Sequence, residues 1–134
     1  MKDDLELALK KLGRAVARLR EGIAAASDDL DRDGVIQRFE FTFELFWKAL
    51  RLVLEREGVR CVTPRECLKA AFRLGLIEDE QPALDMLAAR NRMSHTYSED
   101  DARQIFNEIG DRYFPLVERV AKRLLGNAQP AGNG

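Results

Sequence analysis

Apolar residues recur along this chain in helical steps almost from end to end. Leu5, Leu9, Leu12, Val16, Leu19 and Ile23 follow one another at alternating intervals of four and three. That spacing gathers one side of a helix for packing against a neighbour. Gly22 and the run Ala24-Ala25-Ala26-Ser27 mark where this first helix should end. A second helix is predicted to open within Asp31 to Gly34. Val35 or Ile36, Phe39, Phe43, Phe46, Leu50 and Val53 form its main face, and Gly58 stops it. Phe41, Leu45 and Leu52 fall on another side of the same helix. Surface helices ordinarily have one apolar face, so a helix with two is expected to lie centrally or to face a second subunit. Glu40, Glu44, Lys48 and Arg51 run between the two sets, with Glu44 and Lys48 in the favourable i, i+4 order.

Thr63-Pro64-Arg65-Glu66 reads as a helix start, with Thr63 as cap, Pro64 in the first turn and Glu66 completing a capping box. Cys67, Leu68, Ala71 and Phe72 give this short helix an inner face, and Gly75 ends it. A fourth helix begins between Asp79 and Pro82 and carries Leu84, Leu87 and Ala88. Ser98-Glu99-Asp100-Asp101 starts another, continued by Ala102, Ile105, Phe106, Ile109, Tyr113, Leu116, Val117, Val120 and Leu124. Pro115 falls inside that pattern. It should kink the helix, because it cannot donate to the Asp111 carbonyl and crowds it. The tail from Gly126 to Gly134 is rich in Gly, Ala, Asn and Pro and is expected to be disordered. Nothing in the pattern suggests a strand, a repeat or an inner linker. The expected fold is all-α: one domain over residues 1–125, an antiparallel up-and-down bundle of four to five helices.

Composition agrees with this and narrows the chemistry. A chain of 134 residues, 46% hydrophobic and 34% charged, has the size and balance of a globular domain that buries its own core. No run approaches the roughly 18 apolar residues that suggest a membrane span. The opening Met1-Lys2-Asp3-Asp4 has no apolar signal core. A cytoplasmic location is therefore expected, with no membrane partner. Cys61 and Cys67 have no further Cys and no nearby His to complete a zinc set. They are read as free thiols in a reducing compartment. The net charge of -1 argues against broad electrostatic binding of nucleic acid, DNA in particular, while leaving room for a small local RNA site.

The candidate chemistry lies where the fourth helix turns polar. Arg90-Asn91-Arg92-Met93-Ser94-His95-Thr96-Tyr97 contains the sole histidine of the sequence. If the helix stays regular through Tyr97, Leu84, Leu87, Asn91 and His95 share its inner face at about 100° per residue. Arg90, Ser94 and Tyr97 then lie beside them, and Arg92 and Thr96 point away. Buried polar groups are costly unless hydrogen-bonded, so such a face needs partner groups, a wet cleft or a ligand. A plainer alternative is a capped helix end, where cationic side chains meet the dipole and do nothing more.

One His without clustered Cys or carboxylates cannot build a usual metal site, and no cofactor is expected. Ser94 beside His95 lacks an evident buried acid to make a triad. Phosphoryl transfer without metal fits better. Arg90 could hold a phosphate oxygen bidentately and offset developing charge. An imidazole ordinarily titrates near neutral pH, so His95 could move the proton of a ribose 2′-hydroxyl, with Asn91 orienting either group. Such cleavage benefits from both a base and an acid, and a symmetric dimer would supply two histidines. Trp47 and the phenylalanines could also form a base-stacking platform, although at helical spacing core packing is the simpler role.

Arg90-Asn91 followed at the right reach by His95 resembles the R-polar-x3-H motif of HEPN domains (higher eukaryotes and prokaryotes nucleotide-binding). His95-Thr96-Tyr97 resembles the H-x-Y form found in HEPN proteins paired with minimal nucleotidyltransferases. The segment from Asp33 through Phe39-Glu40-Phe41-Thr42-Phe43-Glu44-Leu45-Phe46-Trp47 to Lys48 is similar to the second helix of one branch, the nucleotidyltransferase substrate-binding proteins. The resemblance spans roughly Leu5 to Leu125. It implies a helical bundle that forms homodimers and a small nucleotidyltransferase partner encoded nearby. In many such pairs the HEPN protein is a metal-independent ribonuclease toxin and the nucleotidyltransferase its antitoxin. The resemblance then gives Arg90 and His95 the cleavage roles, Asn91 the motif's polar position, and Tyr97 the role of AMP acceptor, with ATP as the partner's substrate. In other members of the branch a non-catalytic binding role is implied instead.

Overall fold

In the computed structural model, which describes residues 2–128, helices α1 (Lys2–Ala25) and α2 (Asp29–Arg56) form an antiparallel hairpin. The hinge between them is tied by two aspartates. Asp28 caps α2 by accepting from the Asp31 N–H, and the Asp31 carboxylate accepts from the Ser27 N–H and hydroxyl. Those bonds hold the Asp31 carboxyl below its ordinary pKa. They also start α2 at Asp29, ahead of the expected Asp31–Gly34, so Gly34 lies within the helix.

α2 is the central element and packs against α1 and all the later helices. Its main face is the expected one: Val35, Ile36, Phe39, Phe43, Phe46, Leu50 and Val53 are all buried. Removing each large side chain from water contributes roughly 1.5–3 kcal/mol. From α1, Leu5, Leu9, Leu12, Val16 and Leu19 meet this face, and Ile23 packs at its edge. Thr42 is buried too, its hydroxyl donating to the Arg38 carbonyl at 2.7 Å. The second apolar set is not central. Leu45 and Leu52 are half-buried, and Phe41 is 63% exposed.

α3 (Pro64–Arg73) starts as predicted, Thr63 accepting from the Glu66 N–H. Glu66 reaches back to the Val62 N–H, one residue before the cap, so the box is not strictly reciprocal. Ala70 is buried where Phe72 was expected, and Phe72 is 38% exposed. Gly58 and Gly75 leave their helices with φ of 81° and 80°, a region that favours glycine.

The cysteines correct the free-thiol expectation: Cys61 and Cys67 form a disulfide across Cα atoms 5.3 Å apart. The cap at Thr63 turns the chain so that the loop residue Cys61 lies over the first turn of α3. Spacing alone does not show this. The reducing-compartment inference therefore loses its basis.

α4 (Glu80–Met93) leads through a linker to α5 (Glu99–Glu108), a π turn (Ile109–Tyr113) and α6 (Phe114–Ala128), the last three forming one unbroken rod. Pro115 does distort this rod, as the wide turn just before it. There the Phe114 N–H reaches the Ile109 carbonyl, five residues back. A widened turn reroutes the bonds that Pro115 would break. Ile109, Tyr113, Leu116, Val117, Val120 and Leu124 remain on the buried side. α6 continues past Leu125 to Ala128, so the expected tail does not begin at Gly126. Its remainder, 129–134, lies outside the described residues. Five rods without a strand among the described residues make the all-α up-and-down bundle. Among them no helix is long and apolar enough to cross a membrane.

Candidate functional site

α4 stops four residues before Tyr97. The Ser94 hydroxyl donates to the Asn91 carbonyl at 2.8 Å and the His95 N–H to the Arg92 carbonyl at 3.1 Å, closing the helix end. Ser98 then takes an extended conformation to cap α5. It accepts from the Asp101 N–H while Asp101 accepts from the Ser98 N–H. Two serine caps leave no room for a regular helix through Tyr97, so His95, Thr96 and Tyr97 belong to a linker. The helix face also differs from the expected one. Ala83, Met86, Ala89 and Met93 are buried, whereas Leu84 and Leu87 are half-buried and Asn91 is exposed. Small alanines let α4 approach α2 and α3 closely, a packing advantage that a count of leucines misses.

Arg90 lies in the last turn of α4 and reaches across to α2. Its Nη2 donates to Glu44 Oε2 at 2.8 Å, and its guanidinium carbon stands 5.8 Å from the centre of the Phe43 ring. The same Glu44 oxygen accepts from Trp47 Nε1 at 3.1 Å. Lys48 Nζ stands 3.9 Å from the other oxygen. Arg90 Nη1 is 3.4 Å from Asn91 Oδ1, and its Nε is buried without a hydrogen-bond partner. Trp47 is itself 8% exposed and packed in the core, which settles it as a core side chain and not a stacking platform.

His95 is exposed and lines an open cleft of about 530 Å³ with Arg92, Thr96 and Tyr97 from one side and Gln104, Ile105 and Glu108 from α5. Arg92 and Thr96, expected to point away, both face the cleft: Arg92 is still on α4, whose buried side is the Ala83, Met86, Ala89 and Met93 one, and Thr96 lies where the chain has left the helical path. Arg92 stands 3.8 Å from Glu108, which also accepts from the Tyr113 hydroxyl at 3.1 Å. Arg90 does not line this cleft. Within one chain the structure therefore gathers His95 and Tyr97 and sets Arg90 and Asn91 to one side of them.

Tyr97 packs against the core edge and forms the wall between the His95 cleft and a second one of about 440 Å³, which contains Asp33 and Glu99. Burial, then the negative charges of Asp33 and Glu40, push its phenol above the ordinary pKa of 10.0. Burial likewise raises the Glu40 carboxyl, and the positive charge of Arg90 opposes that. Glu44, Arg92 and Glu108 were missed as site residues. For Glu44 a signal existed: a carboxylate between two apolar stripes of a central helix must find a cation. Among the described residues no cluster of His, Cys, Asp or Glu converges as a metal ion needs.

Residues 3–125 match the family described as nucleotidyltransferase substrate binding protein like. The chain belongs to that family. It is 31% identical over 98 residues to a probable ribonuclease HepT of Haemophilus influenzae, covering 67% of each chain. A crystal structure from Thermus thermophilus superposes with a TM-score of 0.77 at 40% identity, over 84% of this chain and 98% of that one. A second structure, from Haemophilus influenzae, superposes with a TM-score of 0.66 at 24% identity, over 93% of this chain and 99% of that one. It is described as revealing the fold of a substrate binding domain of a nucleotidyltransferase. At that identity it speaks for the fold alone. The HEPN resemblance seen in the motif and in the second helix accords with these relatives.

Proposed function

We propose that this protein is the HEPN partner of a minimal nucleotidyltransferase and an endoribonuclease that needs no metal, silenced when the partner transfers AMP to Tyr97. The observation that carries the proposal is the placement of His95 and Tyr97 on one open cleft beside the cation Arg92. In cleavage, His95 takes the proton of a ribose 2′-hydroxyl. The 2′-oxygen forms a bond to phosphorus, the bond to the 5′-oxygen breaks, and the leaving oxygen collects a proton. The products are a 2′,3′-cyclic phosphate and a 5′-hydroxyl. Arg90 holds the phosphate, and Asn91 orients it.

Each chain has one histidine, so a homodimer supplies a second as the acid and brings one chain's Arg90 toward the other's cleft. The half-buried Leu84, Leu87 and Leu45 and the exposed Phe41 are apolar surface available for that pairing. In silencing, the Tyr97 hydroxyl loses its proton to a base of the partner's site as its oxygen bonds to the α-phosphorus of the partner's ATP, and pyrophosphate leaves. The new phosphodiester then occupies the cleft where the RNA phosphate would bind.

The test is RNA cleavage in EDTA by protein expressed without the nucleotidyltransferase, wild type beside His95→Ala, with intact mass confirming an unmodified Tyr97. Cleavage by wild type alone is expected, with cyclic-phosphate ends. One observation favours a second reading, a non-catalytic substrate-binding subunit: Arg90 is already neutralised by Glu44 and stands outside the His95 cleft. No cleavage by either protein, together with co-purification and nucleotide transfer to Tyr97, would select that reading.

A further inference from the structure

Arg90 is held on every side but one. Glu44 takes Nη2 at 2.8 Å, the Phe43 ring covers a face of the guanidinium, and Nε is sealed from solvent without a partner. The carboxylate doing the holding is itself held, because the buried Trp47 indole donates to the same Glu44 oxygen at 3.1 Å. Trp47 thus fixes Glu44, and Glu44 fixes Arg90. A surface arginine ordinarily gives up rotamer freedom when it binds an anion. Here the fold has already taken that freedom away. What remains for a ligand is the Nη1 edge, which meets only the Asn91 Oδ1 at a loose 3.4 Å.

We infer that Glu44 is a positioning residue that presets Arg90 to bind one phosphate oxygen end-on through Nη1, with the Asn91 amide as the neighbouring donor. This rests on the reading of the site as one for an RNA phosphodiester, and it changes how the arginine acts there. A free guanidinium offers a two-pronged fork to phosphate. In this site one prong is spent on Glu44, so the fork binds protein and the remaining edge binds ligand. The gain is pre-organisation: the cation sits in place before the substrate arrives. The pair also keeps the guanidinium from swinging onto Glu40, the other carboxylate near it.

The experiment compares wild type, Glu44→Ala and Glu44→Gln, each verified by mass as unmodified and by circular dichroism as folded. The first readout needs no catalysis. The side-chain Nε–H resonance of Arg90, assigned with Arg90→Lys, is followed while inorganic phosphate is added. The expected result is a slowly exchanging Nε–H in wild type that shifts with phosphate. In Glu44→Ala it should exchange fast, and phosphate should bind at least about tenfold more weakly. Gln can still accept from Trp47 and Arg90, so Glu44→Gln should recover much of the wild-type behaviour. The second readout is RNA cleavage, where Glu44→Ala should lower kcat by about 10²-fold with a smaller change in KM. An Arg90 signal and a phosphate affinity that are the same in all three proteins would overturn the inference. Wild type that binds phosphate at Arg90 with Glu44 dependence yet cleaves no RNA would uphold the clamp and sink the endoribonuclease reading instead.

Discussion

Arg90 and His95 stand close in the chain and belong to two different kinds of structure. Arg90 is on a helix, pinned by a carboxylate from the central helix and shielded by an aromatic ring. His95 is on a linker between two capped helix ends, exposed, with its backbone tied to Arg92 and its ring facing open space. The cation is prepared by packing, and the imidazole is left free to meet what enters the cleft. A group that only binds gains from being fixed in advance, since the ordering cost is met during folding. A group that must accept and pass on a proton needs access to substrate and water. The proposed phosphodiester cleavage would use this difference as a division between binding at Arg90 and chemistry at His95.

The strongest test of this division is His95→Ala. Cleavage should fall by at least about 10²–10⁴-fold, the usual worth of a positioned acid or base. The thermal midpoint should stay where it is, because the ring packs against nothing in the core. A large loss of stability would mean that the linker is a structural element and would dissolve the contrast with Arg90.

Arg90→Lys comes next. Lysine keeps the charge but cannot hold Glu44 and a phosphate from one planar group. Cleavage should fall by about 10²-fold, while stability falls by about 1 kcal/mol or less, as for other half-exposed pairs. Full activity in this variant, measured as initial rates on unmodified protein, would show that charge alone matters and that the clamp is incidental.

The bundle was legible in the sequence because its signals are local and repeated. The stripe of α1, the main stripe of α2, the Thr63 and Ser98 caps and the Gly58 and Gly75 stops each depend on a few neighbouring residues, and each is where the local pattern places it. The site was legible as a list of residues but not as a shape. A regular helix through Tyr97 would have set Asn91 and His95 on one inner face. The Ser94 hydroxyl and the Ser98 cap divert the chain instead, and the alanine-rich side of α4 takes the core. The arginine that Glu44 pairs with, the place of Glu108 and the Cys61–Cys67 bond depend on how the chain brings residues together, which spacing does not give; for Glu44 only the need for a cation was legible. The π turn before Pro115 lies between these cases: the distortion was foreseeable from proline, its form was not.

A smaller effect is expected for Ser98→Ala, which separates the two halves of the motif. Losing this cap should cost about 1 kcal/mol and release the far end of the linker that carries His95 and Tyr97. Cleavage should weaken by a modest factor, and the Arg90 Nε–H resonance should not change. A change at Arg90 would show that linker and clamp are one cooperative unit.

The smallest effect is the most telling about what holds Arg90. Glu40 is raised above its ordinary pKa of 4.5 mainly by burial, with Arg90 pulling the other way. A raised carboxyl favours the folded state when protonated. Its contribution is complete below the ordinary value and is lost as the pH rises through the raised one. At pH 7 the ionised Glu40 therefore costs stability, and Glu40→Gln should raise it by about 0.5 kcal/mol, the scale of surface substitutions. At pH 4, where Glu40 is largely protonated, the gain should vanish. Urea unfolding at the two pH values measures both. If Glu40→Gln destabilises the protein at pH 7, attraction to Arg90 outweighs burial. Arg90 would then be shared between Glu40 and Glu44, able to swing between them, and no longer the fixed member of the pair.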